Sequence, residues 1–361
     1  MRVGVIGGGF GGLAAAIAFR SNGHEITVFE RDAGPSSAGG AISLAPNALT
    51  CLKILGVDDQ LSTQAWSDMP ATIRSSSGRV LVRSTMGRLT GGAEFACVPR
   101  AQLISWMTAA LPRECIRYRC PVSGLTADGV IEANGVRQQF DLVVAADGAR
   151  SLTRTLLWPR GPRLRQTGIS GWAWIVDATL SEGFGTIWGA DTDFGILPLH
   201  DGRTYVYGGT ARRGAELGSF RNWPEPLPSL IAEASPATVT TPEIFEARPP
   251  RQLVNGKVVL IGDAAHAMRP TFGQGAALAM EDALTLAYRG AAGLARRWPR
   301  MLALYGGAKA GSFVATPRSA ALEAVRNWTL QVTPNSAFGV LAGSVSHWRM
   351  PGMAAVTATE A

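Results

Sequence analysis

Lysine is scarce in this sequence: Lys53, Lys257 and Lys309 are its three lysines among 361 residues, although the net charge is +7. The positive charge therefore comes from arginines, which are scattered along the chain and form no basic run. Proteins that bind nucleic acid usually concentrate basic residues in one patch or stripe. We therefore expect no nucleic-acid partner.

Cysteine and histidine are also few, with four residues of each type. Cys51, Cys97, Cys115 and Cys120 form no C-x-x-C pair and have no histidine at metal-ligand spacing. The sequence therefore predicts buried free thiols and no metal site.

The chain has no low-complexity tract and no long uninterrupted apolar run. Its composition, 46% hydrophobic and 17% charged, is that of a globular protein long enough for two packed domains. The most apolar stretch, residues 3–19, contains a cluster of glycines and leads directly into strand-like sequence, unlike a signal peptide or a membrane helix. We expect no membrane or targeting segment and a cytoplasmic location.

The sequence opens with a βαβ unit. Residues 2–6 are typical of a short buried strand, residues 11–21 of a helix ending at Asn22-Gly23, and residues 25–30 of a second strand. The turn between the first strand and the helix, residues 7–12, reads GGGFGG. A G-x-G-x-x-G turn in this setting indicates a Rossmann fold that binds a dinucleotide.

Each part of this motif has a physical task. Gly7 permits a tight turn, Gly9 lets the backbone approach a pyrophosphate, and Gly12 lets the helix pack closely on the strand. The free N–H groups at the helix start can bind phosphates. Glu30 ends the second strand, where a carboxylate can accept hydrogen bonds from an adenosine ribose and would repel a 2′-phosphate. The site therefore suits FAD or NAD rather than NADP.

Two later strands end at the same predicted crevice. Residues 141–146 form an apolar strand that runs into Asp147-Gly148, with Ser151 placed to cap the next helix. Read alone, this pair is equally well a plain turn. Residues 257–261 form another buried strand, which ends in Gly262-Asp263. Ligands of open α/β sheets bind at the carboxyl ends of the strands, so these residues should meet the glycine turn.

A loop and a helix follow the third strand. Residues 270–275 form the loop, and the good helix formers after it predict a helix to about Tyr288. A helix start without bulky side chains can direct its positive dipole end at a ligand atom that gains negative charge. The flavin N1/C2=O edge gains such charge on reduction, so the pattern favours a flavin.

These three ordered motifs make the chain similar, over about residues 1–320, to class A flavoprotein monooxygenases of the p-hydroxybenzoate hydroxylase fold. The resemblance implies an α/β architecture, in which a Rossmann-like FAD-binding domain is interleaved with an antiparallel-sheet substrate domain. It implies that FAD is bound by Gly7, Gly9, Gly11, Gly12, Glu30, Arg31, Gly40, Arg100, Asp147, Gly148, Gly262, Asp263, Pro270, Gly273, Gly275 and Ala276.

The same resemblance divides the chain. We expect a discontinuous FAD-binding domain, a substrate-binding sheet domain and a group of C-terminal helices. The boundaries are 1–70, 97–165 and 251–290 for the FAD-binding domain, 71–96 and 166–250 for the sheet domain, and 291–361 for the helices.

Several residues carry more detailed implications. Arg100 matches a family arginine beside the FAD phosphates or ribityl chain, although a lone arginine is more often a solvated surface residue. Asp263 matches the aspartate that binds the ribityl chain, and residues 39–41 match a small-residue loop that lets the flavin swing toward solvent. His266 matches a packing and hydrogen-bonding residue rather than an acid–base catalyst. Ala277 stands where the family often has asparagine, so an amide that would fix the loop is missing.

The segment after residue 165 is expected to cover the substrate. Residues 171–176, 193–198 and 204–207 alternate like strands, with Asp201-Gly202 as a hairpin turn. Period-two spacing places the two tryptophans on a common face, and likewise the two tyrosines. Such a sheet over the flavin would supply an aromatic pocket, plain core packing being the alternative. The pocket candidates are Trp172, Trp174, Phe194, Leu197, Tyr205, Tyr207 and Pro270.

The resemblance also implies a reaction. NAD(P)H would reduce FAD, O₂ would add at flavin C4a, and the hydroperoxide would hydroxylate an aromatic, polyketide-like or otherwise electron-rich small molecule. No catalytic residue is assigned, because Tyr205, Tyr207 and His200 are candidate bases by type alone. No second Rossmann turn is present, so the choice between NADH and NADPH stays open. The choice between a monomer and a homodimer also stays open.

Two other chemistries use the same scaffold. A flavin oxidase or dehydrogenase, or a redox-neutral biosynthetic flavoenzyme, remains an alternative. A flavin-dependent halogenase is less favoured, because the sequence from Trp172 to Asp177 has only part of the W-x-W-x-I-P signature and none of the three lysines is well placed.

Overall fold

The computed structural model describes residues 1–35, 39–180, 183–334, 345–346 and 348–350. Within these ranges the strands are β1 (Arg2–Ile6), β2 (Glu25–Phe29), β3 (Ala41–Leu44), β4 (Ala65–Trp66), β5 (Pro70–Ser75), β6 (Val80–Thr85), β7 (Phe95–Pro99), β8 (Ile116–Arg117), β9 (Val122–Leu125), β10 (Val130–Ala133), β11 (Val136–Gln139), β12 (Leu142–Ala145), β13 (Arg165–Val176), β14 (Phe184–Trp188), β15 (Thr192–Pro198), β16 (Thr204–Thr210), β17 (Glu243–Glu246), β18 (Val254–Asn255) and β19 (Val258–Leu260). The α-helices are α1 (Phe10–Ser21), α2 (Pro46–Ile54), α3 (Met86–Thr90), α4 (Arg100–Ala109), α5 (Leu152–Leu157), α6 (Leu227–Ala232), α7 (Asp263–His266), α8 (Gly275–Ala295), α9 (Trp298–Ala315) and α10 (Ala320–Val332).

A six-stranded sheet in the order β18-β19-β12-β1-β2-β8 carries the glycine turn. Strand β1 lies parallel to both β2 and β12, and Val3 and Val5 are fully buried, as is typical of a parallel sheet covered on both faces. The predicted βαβ unit is confirmed: α1 begins one residue earlier and β2 ends one residue earlier than the sequence pattern indicated. Helix α1 packs against α8.

A seven-stranded sheet in the order β17-β13-β16-β15-β14-β5-β6 forms the second layer. Its strands come from residues 70–85 and 165–246, so the chain leaves the parallel sheet and returns to it. Strands β13, β16, β15 and β14 are successively antiparallel. Only β14 and β5 are parallel among the described strand pairs of this sheet. The α/β architecture with an interleaved, mainly antiparallel sheet is therefore confirmed, while the domain limits and the role of this sheet in substrate binding stay predictions.

A small sheet, β3-β7-β4, packs on one side with the core of the parallel sheet and on the other with the seven-stranded sheet. Phe95 and Cys97 of β7 share a buried cluster with Leu197 of β15 and with the ring of Tyr205 in β16. Strand β7 runs directly into α4 at Arg100. The contact between the sheets is thus the place where the glycine loop at 39–41 meets the aromatic strands.

The C-terminal part of the described chain is helical, with α8, α9 and α10 following one another. The helical run of α8 is interrupted at Gly290, where φ is 63°, two residues beyond its predicted end at Tyr288. Helices α9 and α10 belong to the predicted C-terminal group, of which residues 335–344, 347 and 351–361 lie outside the described residues. None of the helices in the described ranges is long and apolar enough to span a membrane.

Candidate active site

The glycine turn has one closed side and one open side. Gly7 adopts a φ of 101°, and a Cβ on Gly12 would lie 1.9 Å from the Gly7 carbonyl oxygen, so the turn and α1 can approach this closely only with glycine at both positions. Gly11 packs against the side chain of Ala279 in α8. A Cβ on Gly9, at the start of α1, would meet no atom within 4 Å. The open side at Gly9 therefore suits a bulky anionic ligand such as a pyrophosphate.

Glu30 is bonded to the turn from the end of β2. Its carboxylate accepts hydrogen bonds from the backbone N–H groups of Gly8 at 2.6 Å and Asp32 at 2.9 Å. A carboxylate has about four acceptor sites, so these two bonds leave capacity for a ribose hydroxyl. Arg31, the next residue, is exposed. The assignment of Glu30 to the adenosine ribose and that of Arg31 to the FAD-binding residues both stay predictions.

The second motif presents an unsatisfied oxygen. One carboxylate oxygen of Asp147, Oδ2, accepts from the N–H of Thr153 at 3.0 Å, whereas Oδ1 is buried and has no hydrogen-bond partner within the described structure. Such an atom is costly to bury unless a donor reaches it. The hydroxyl groups of FAD are donors of the required kind. Gly148 follows with a φ of 78°, and the Ser151 side chain caps α5 as predicted, accepting from the N–H of Arg154 at 2.8 Å.

Arg154 joins the second motif to the third, although it was not among the predicted site residues. Its guanidinium donates to the carbonyl oxygens of Asp263 at 3.3 Å, Ala264 at 2.8 Å and Ala149. The side chain is 6% exposed. Burial lowers the pKa of Arg154, while the nearby carboxylates of Asp147 and Asp263 oppose that effect. The Ser-x-x-Arg spacing at the start of α5 was the available signal.

Asp263 of the third motif stands at the base of a cleft. It follows Gly262, and its Oδ1 lies 3.8 Å from where a Cβ of Gly275 would be, so it borders the start of α8. The Asp263 side chain is exposed on the side of the cleft. The protein around its other sides keeps water away from the carboxylate, and this loss of solvation raises the pKa of Asp263. His266, Arg100 and Arg154 act in the opposite direction.

Arg100 and the glycine loop meet Tyr205 at the same cleft. A Cβ on Gly40 would lie 2.1 Å from the Tyr205 ring, so only glycine fits, and the Gly40 carbonyl oxygen accepts from the Arg100 N–H at 3.0 Å. The guanidinium of Arg100 lies over the Phe10 ring at 4.6 Å. Burial lowers the pKa of Arg100, while Asp263 and Tyr205 raise it. The structure therefore brings all three motifs, the loop and Arg100 to one cleft.

The loop before α8 forms as predicted, and a different amide supports it. Residues 270–275 comprise a 3₁₀ turn from the exposed Pro270, then Gly273, before α8 begins at Gly275 with Ala276 half-buried. Ala277 is buried. Ala277 supplies no amide, and the effect of this replacement stays a prediction; a different amide, that of Asn47 in α2, donates to the Gln274 side chain at 2.8 Å.

A buried charged network lies beneath this loop. His266 is fully buried, with Nε2 2.5 Å from Asp282 Oδ2, and Arg297 donates to the other oxygen of Asp282 at 3.0 Å. Glu281 accepts from Arg297 and from Arg300, each at 2.7 Å. Burial opposes ionisation of Asp282, but His266 and Arg297 outweigh it and hold its pKa below the usual value. His266 is thus packed and hydrogen-bonded, as predicted.

One face of the seven-stranded sheet contributes to the cleft. Tyr205 and Tyr207 share it, as predicted, and their ring centroids are 5.7 Å apart. Leu197 pairs with Tyr205 across β15 and β16 and lies on the same side. These residues pack toward Phe95 and Cys97 of β7. They remain candidates for the substrate pocket.

The other three aromatic candidates lie on the opposite face, so their expected placement is corrected. Trp172 and Trp174 do share a face, but it is the one that packs with Phe194, Phe220 and Trp223. The Trp174 indole N–H donates to a backbone carbonyl oxygen of α6 at 3.2 Å. Spacing within a strand predicted the pairs; the register between strands decides which pair faces the cleft.

The candidate bases differ in their surroundings. Burial raises the pKa of Tyr205 and of Tyr207 well above the usual value, so both hydroxyls stay protonated near neutral pH and can donate hydrogen bonds. His200 is exposed at the hairpin and stacks on Trp66 with ring centroids 3.8 Å apart. The three stay candidate bases by residue type, and no catalytic residue is assigned.

Comparison with known proteins agrees with this geometry. Residues 1–307 match the FAD binding domain family. The chain is 31% identical over 304 residues to an aurachin C monooxygenase/isomerase from Stigmatella aurantiaca, covering 78% of this chain and 79% of the relative. It is 32% identical over 311 residues to an FAD-dependent urate hydroxylase from Klebsiella pneumoniae, covering 79% and 80%. The crystal structure of Klebsiella pneumoniae HpxO with FAD and uric acid superposes with a TM-score of 0.85, at 26% identity and 96% coverage of both chains.

Proposed function

This chain belongs to the FAD-binding family of flavoprotein monooxygenases, and we propose that its substrate is an aromatic or similarly electron-rich small molecule, hydroxylated with O₂. It is an FAD-dependent oxidoreductase, and NAD(P)H is the family's usual co-substrate. The convergence of Asp147, Asp263 and Arg100 on a cleft bordered by Tyr205 is the observation that carries the proposal.

We assign the cofactor contacts from the groups that the cleft leaves unpaired. The N–H groups at the start of α1 face the open side at Gly9 and would hold the pyrophosphate. Asp147 Oδ1 would accept a hydrogen bond from a cofactor hydroxyl, and Asp263 would do so on the ribityl chain. Bound FAD supplies the redox chemistry, taking electrons from NAD(P)H and delivering them to O₂.

The start of α8 would stabilise negative charge on the reduced cofactor. Gly275 and Ala276 expose the N-terminal N–H groups of the first part of this helix, which runs to the break at Gly290, beside Asp263. The bond from Asn47 to Gln274 and the network around Asp282 hold the helix start in place. These residues would position the loop through other side chains.

The tyrosine face of the sheet would orient the substrate and limit water. Tyr205 and Tyr207 present broad apolar rings with protonated hydroxyls, which suits a planar ring with a polar substituent. Leu197 extends the same face. Excluding water from this side protects an oxygen-transfer reaction from unproductive release of peroxide.

A substrate panel tests the proposal. Purified enzyme with FAD is supplied with NADH or NADPH and a set of phenols, purines and polyketide-like aromatics, and nicotinamide oxidation, hydroxylated product and H₂O₂ are measured together. We expect at least one compound to accelerate nicotinamide oxidation and to be hydroxylated in proportion. A flavin oxidase would release H₂O₂ stoichiometrically without nicotinamide, and failure to bind FAD would contradict the whole assignment.

A further inference from the structure

Helix α10 carries an apolar stripe on its outer face. Its members recur at spacings of four, three and four residues: Ala321, Val325, Trp328 and Val332. This spacing places them on one side of the helix, and all of them are exposed, Trp328 at 65%. Leu322, which is also exposed, flanks the stripe. The outer side of a surface helix is usually polar or charged, so this face differs from an ordinary solvent face.

The charged residues of α10 lie on its inner face. Glu323 accepts a hydrogen bond from the Ser76 hydroxyl at 2.9 Å, and Arg326 donates to the carbonyl oxygen of Ala315 at 2.7 Å. Leu330, on the same side, packs with the buried side chains of β5 and β6. The inner face therefore holds α10 on the protein, while the exposed residues of this helix are all uncharged.

The end of helix α9 extends the apolar surface. Phe313 and Val314 are both exposed. The Val314 carbonyl oxygen accepts a hydrogen bond from Arg326 at 3.1 Å, which places this end of α9 beside α10. Residues 313–332 thus contain half of the exposed large hydrophobic residues of the described structure, so the exposure is concentrated rather than scattered.

The described part of the chain after α10 lies elsewhere. The Val345 carbonyl oxygen accepts from Arg300 at 3.2 Å, and Met350 is buried in the core around the parallel sheet. Arg300 belongs to the first turn of α9, about 20 Å along that helix from Val314. Within the described ranges, the apolar face of α10 therefore has no partner.

The absence of charge on this face narrows the choice of occupant. Helices that lie on acidic membranes carry lysine and arginine beside their apolar side, and acidic protein partners are steered by the same residues. The exposed residues of α10 are uncharged, and Arg318 before the helix stacks on the Phe313 ring at 5.6 Å. A partner surface that is itself uncharged and apolar fits this face best.

A second copy of this chain offers such a surface, because the stripe complements itself in an antiparallel pair. A two-fold axis between Val325 and Trp328 would place each Trp328 against Val325 of the other copy. The same axis would place each Val332 against Ala321. Smaller side chains then lie opposite larger ones, as the packing of helix knobs into holes requires.

The exposed area is sufficient for a weak dimer. At ~150–250 Å² for a large side chain, the exposed parts of the stripe, Leu322 and Val314 amount to about 600 Å². Two copies would bury roughly 1,200 Å², which is the low end of specific protein interfaces. Such a dimer is expected to dissociate at about micromolar concentration.

We propose that the outer face of α10 is a homodimer interface, on which a second copy of this chain docks its own α10 in the antiparallel orientation. This inference concerns assembly, so it goes beyond the proposed function. It selects the homodimer from the two states, monomer and homodimer, that the sequence leaves open. Because Arg326 also donates to the Trp188 carbonyl oxygen of β14 at 3.3 Å, the interface is anchored on the seven-stranded sheet.

Sedimentation velocity of the FAD-loaded full chain tests the interface. Over a range of about 1 to 100 μM, the wild type should shift from monomer to dimer. Val325→Glu places a carboxylate beside the two-fold axis in each copy, where it meets an apolar surface and a like charge. We expect this variant to dimerise at least tenfold more weakly than the wild type.

Val136→Glu is the matched control. Val136 is another exposed valine, in the β10–β11 hairpin, so the same charge is introduced away from α10. This variant should dimerise as the wild type does. Circular dichroism and flavin absorption verify that both glutamate variants are folded and hold FAD.

Cysteine cross-linking tests the antiparallel register. Ala321→Cys and Val332→Cys are prepared separately and treated with a short bis-maleimide, either alone or as an equimolar mixture. The two copies of position 321 would lie about 16 Å apart along the helices, and so would those of position 332. The mixture should therefore cross-link several-fold more than either variant alone, with the wild type as the blank for its native cysteines.

Defined outcomes would overturn the inference. A wild type that stays monomeric up to the highest concentration would mean that this face is covered within its own chain or binds another partner. A folded Val325→Glu that dimerises like the wild type would place the interface elsewhere, and equal cross-linking of the mixture and the single variants would refute the antiparallel register. None of these measurements depends on turnover, so they remain valid whether or not the proposed reaction is correct.

Discussion

Glu30 shows how one side chain can organise the phosphate turn. Its carboxylate holds the N–H groups of Gly8 and Asp32, so it fixes the turn as well as offering acceptors to a ribose. Removing it frees two backbone donors and loosens the place where Gly9 faces the ligand.

For this reason Glu30→Ala should weaken FAD binding about tenfold or more, equivalent to ~1.4 kcal/mol. Affinity is measured by quenching of FAD fluorescence on titration with apoprotein. Glu25→Ala, at the exposed start of the same strand, is the control and should bind FAD normally. An unchanged affinity in Glu30→Ala would refute the role assigned to this carboxylate.

Arg154 is predicted to act through the backbone of the third motif. Arg154→Met removes its bonds to the carbonyl oxygens of Asp263, Ala264 and Ala149. Leaving buried acceptors unpaired should lower the free energy of unfolding by ~2–3 kcal/mol. Urea denaturation measures this, with the exposed Arg160→Met as control. Equal midpoints for the two variants would contradict the bridging role.

Asp193 should also make stability depend on pH in a defined direction. Its pKa is raised from 3.8 to about 7 in the folded protein, so the charged form destabilises the fold, and this cost grows as pH rises from about 4 to 7. Asp193→Asn should therefore be more stable than the wild type at pH 8, by ~1–3 kcal/mol, and equally stable near pH 4. Thermal unfolding of both proteins at the two pH values measures the difference. A larger gain at pH 4 would have the wrong sign.

Sequence patterns located residues that end strands and turns, and missed those that act by long-range side-chain contact. Asp147 and Asp263 were predicted because each follows a buried strand, and Arg100 because of its resemblance to a family arginine. Arg154 and Asn47 were not identified, since their partners lie on other parts of the chain. The Ser-x-x-Arg spacing marks Arg154 as part of a helix start, but it does not specify the distant carbonyl oxygens to which Arg154 donates.

At the start of helix α1, Gly9 and Gly12 belong to one motif but differ in the space around them. A methyl group on Gly12 would collide with the Gly7 carbonyl oxygen, whereas one on Gly9 would enter open space. Gly12 is needed for the packing of the helix on the strand, whereas Gly9 is needed only where the ligand approaches.

The variants Gly12→Ala and Gly9→Ala should therefore fail differently. We expect Gly12→Ala to lower the free energy of unfolding of the apoprotein by ~2 kcal/mol or more, because backbone must move. Gly9→Ala should keep apoprotein stability and weaken FAD binding. Denaturation of apoprotein and FAD titration of each variant separate the effects. Similar behaviour of the two variants would contradict this division.

For helix α8 and the aromatic strands, the sequence predicted where each element lies but not which side chains it buries. The start of α8 followed from glycine and good helix formers, but the buried pair Glu281 and Asp282 did not, because charged residues in a helix usually mark its solvent face. Arg297 and Arg300 from beyond the helix neutralise them. Similarly, alternation predicted strands, while the phase of each strand relative to the cleft depended on pairing register.

For the whole molecule, three motifs in order were enough to predict the fold, since each comes at the carboxyl end of a parallel strand and all three strands belong to one sheet. The interleaved antiparallel sheet completes the cleft from the other side. Substrate identity has no comparable signal, because it depends on a few side chains whose placement requires the assembled sheets.

Oxygen transfer from O₂ is the central claim for the whole enzyme, and isotope labelling tests it most directly. The enzyme with FAD, NADH or NADPH and a substrate that accelerates nicotinamide oxidation is incubated under ¹⁸O₂, and the product is analysed by mass spectrometry. We predict one ¹⁸O atom in the product for each nicotinamide oxidised in coupled turnover. A product without ¹⁸O, with all the oxygen recovered as H₂O₂, would contradict the assignment.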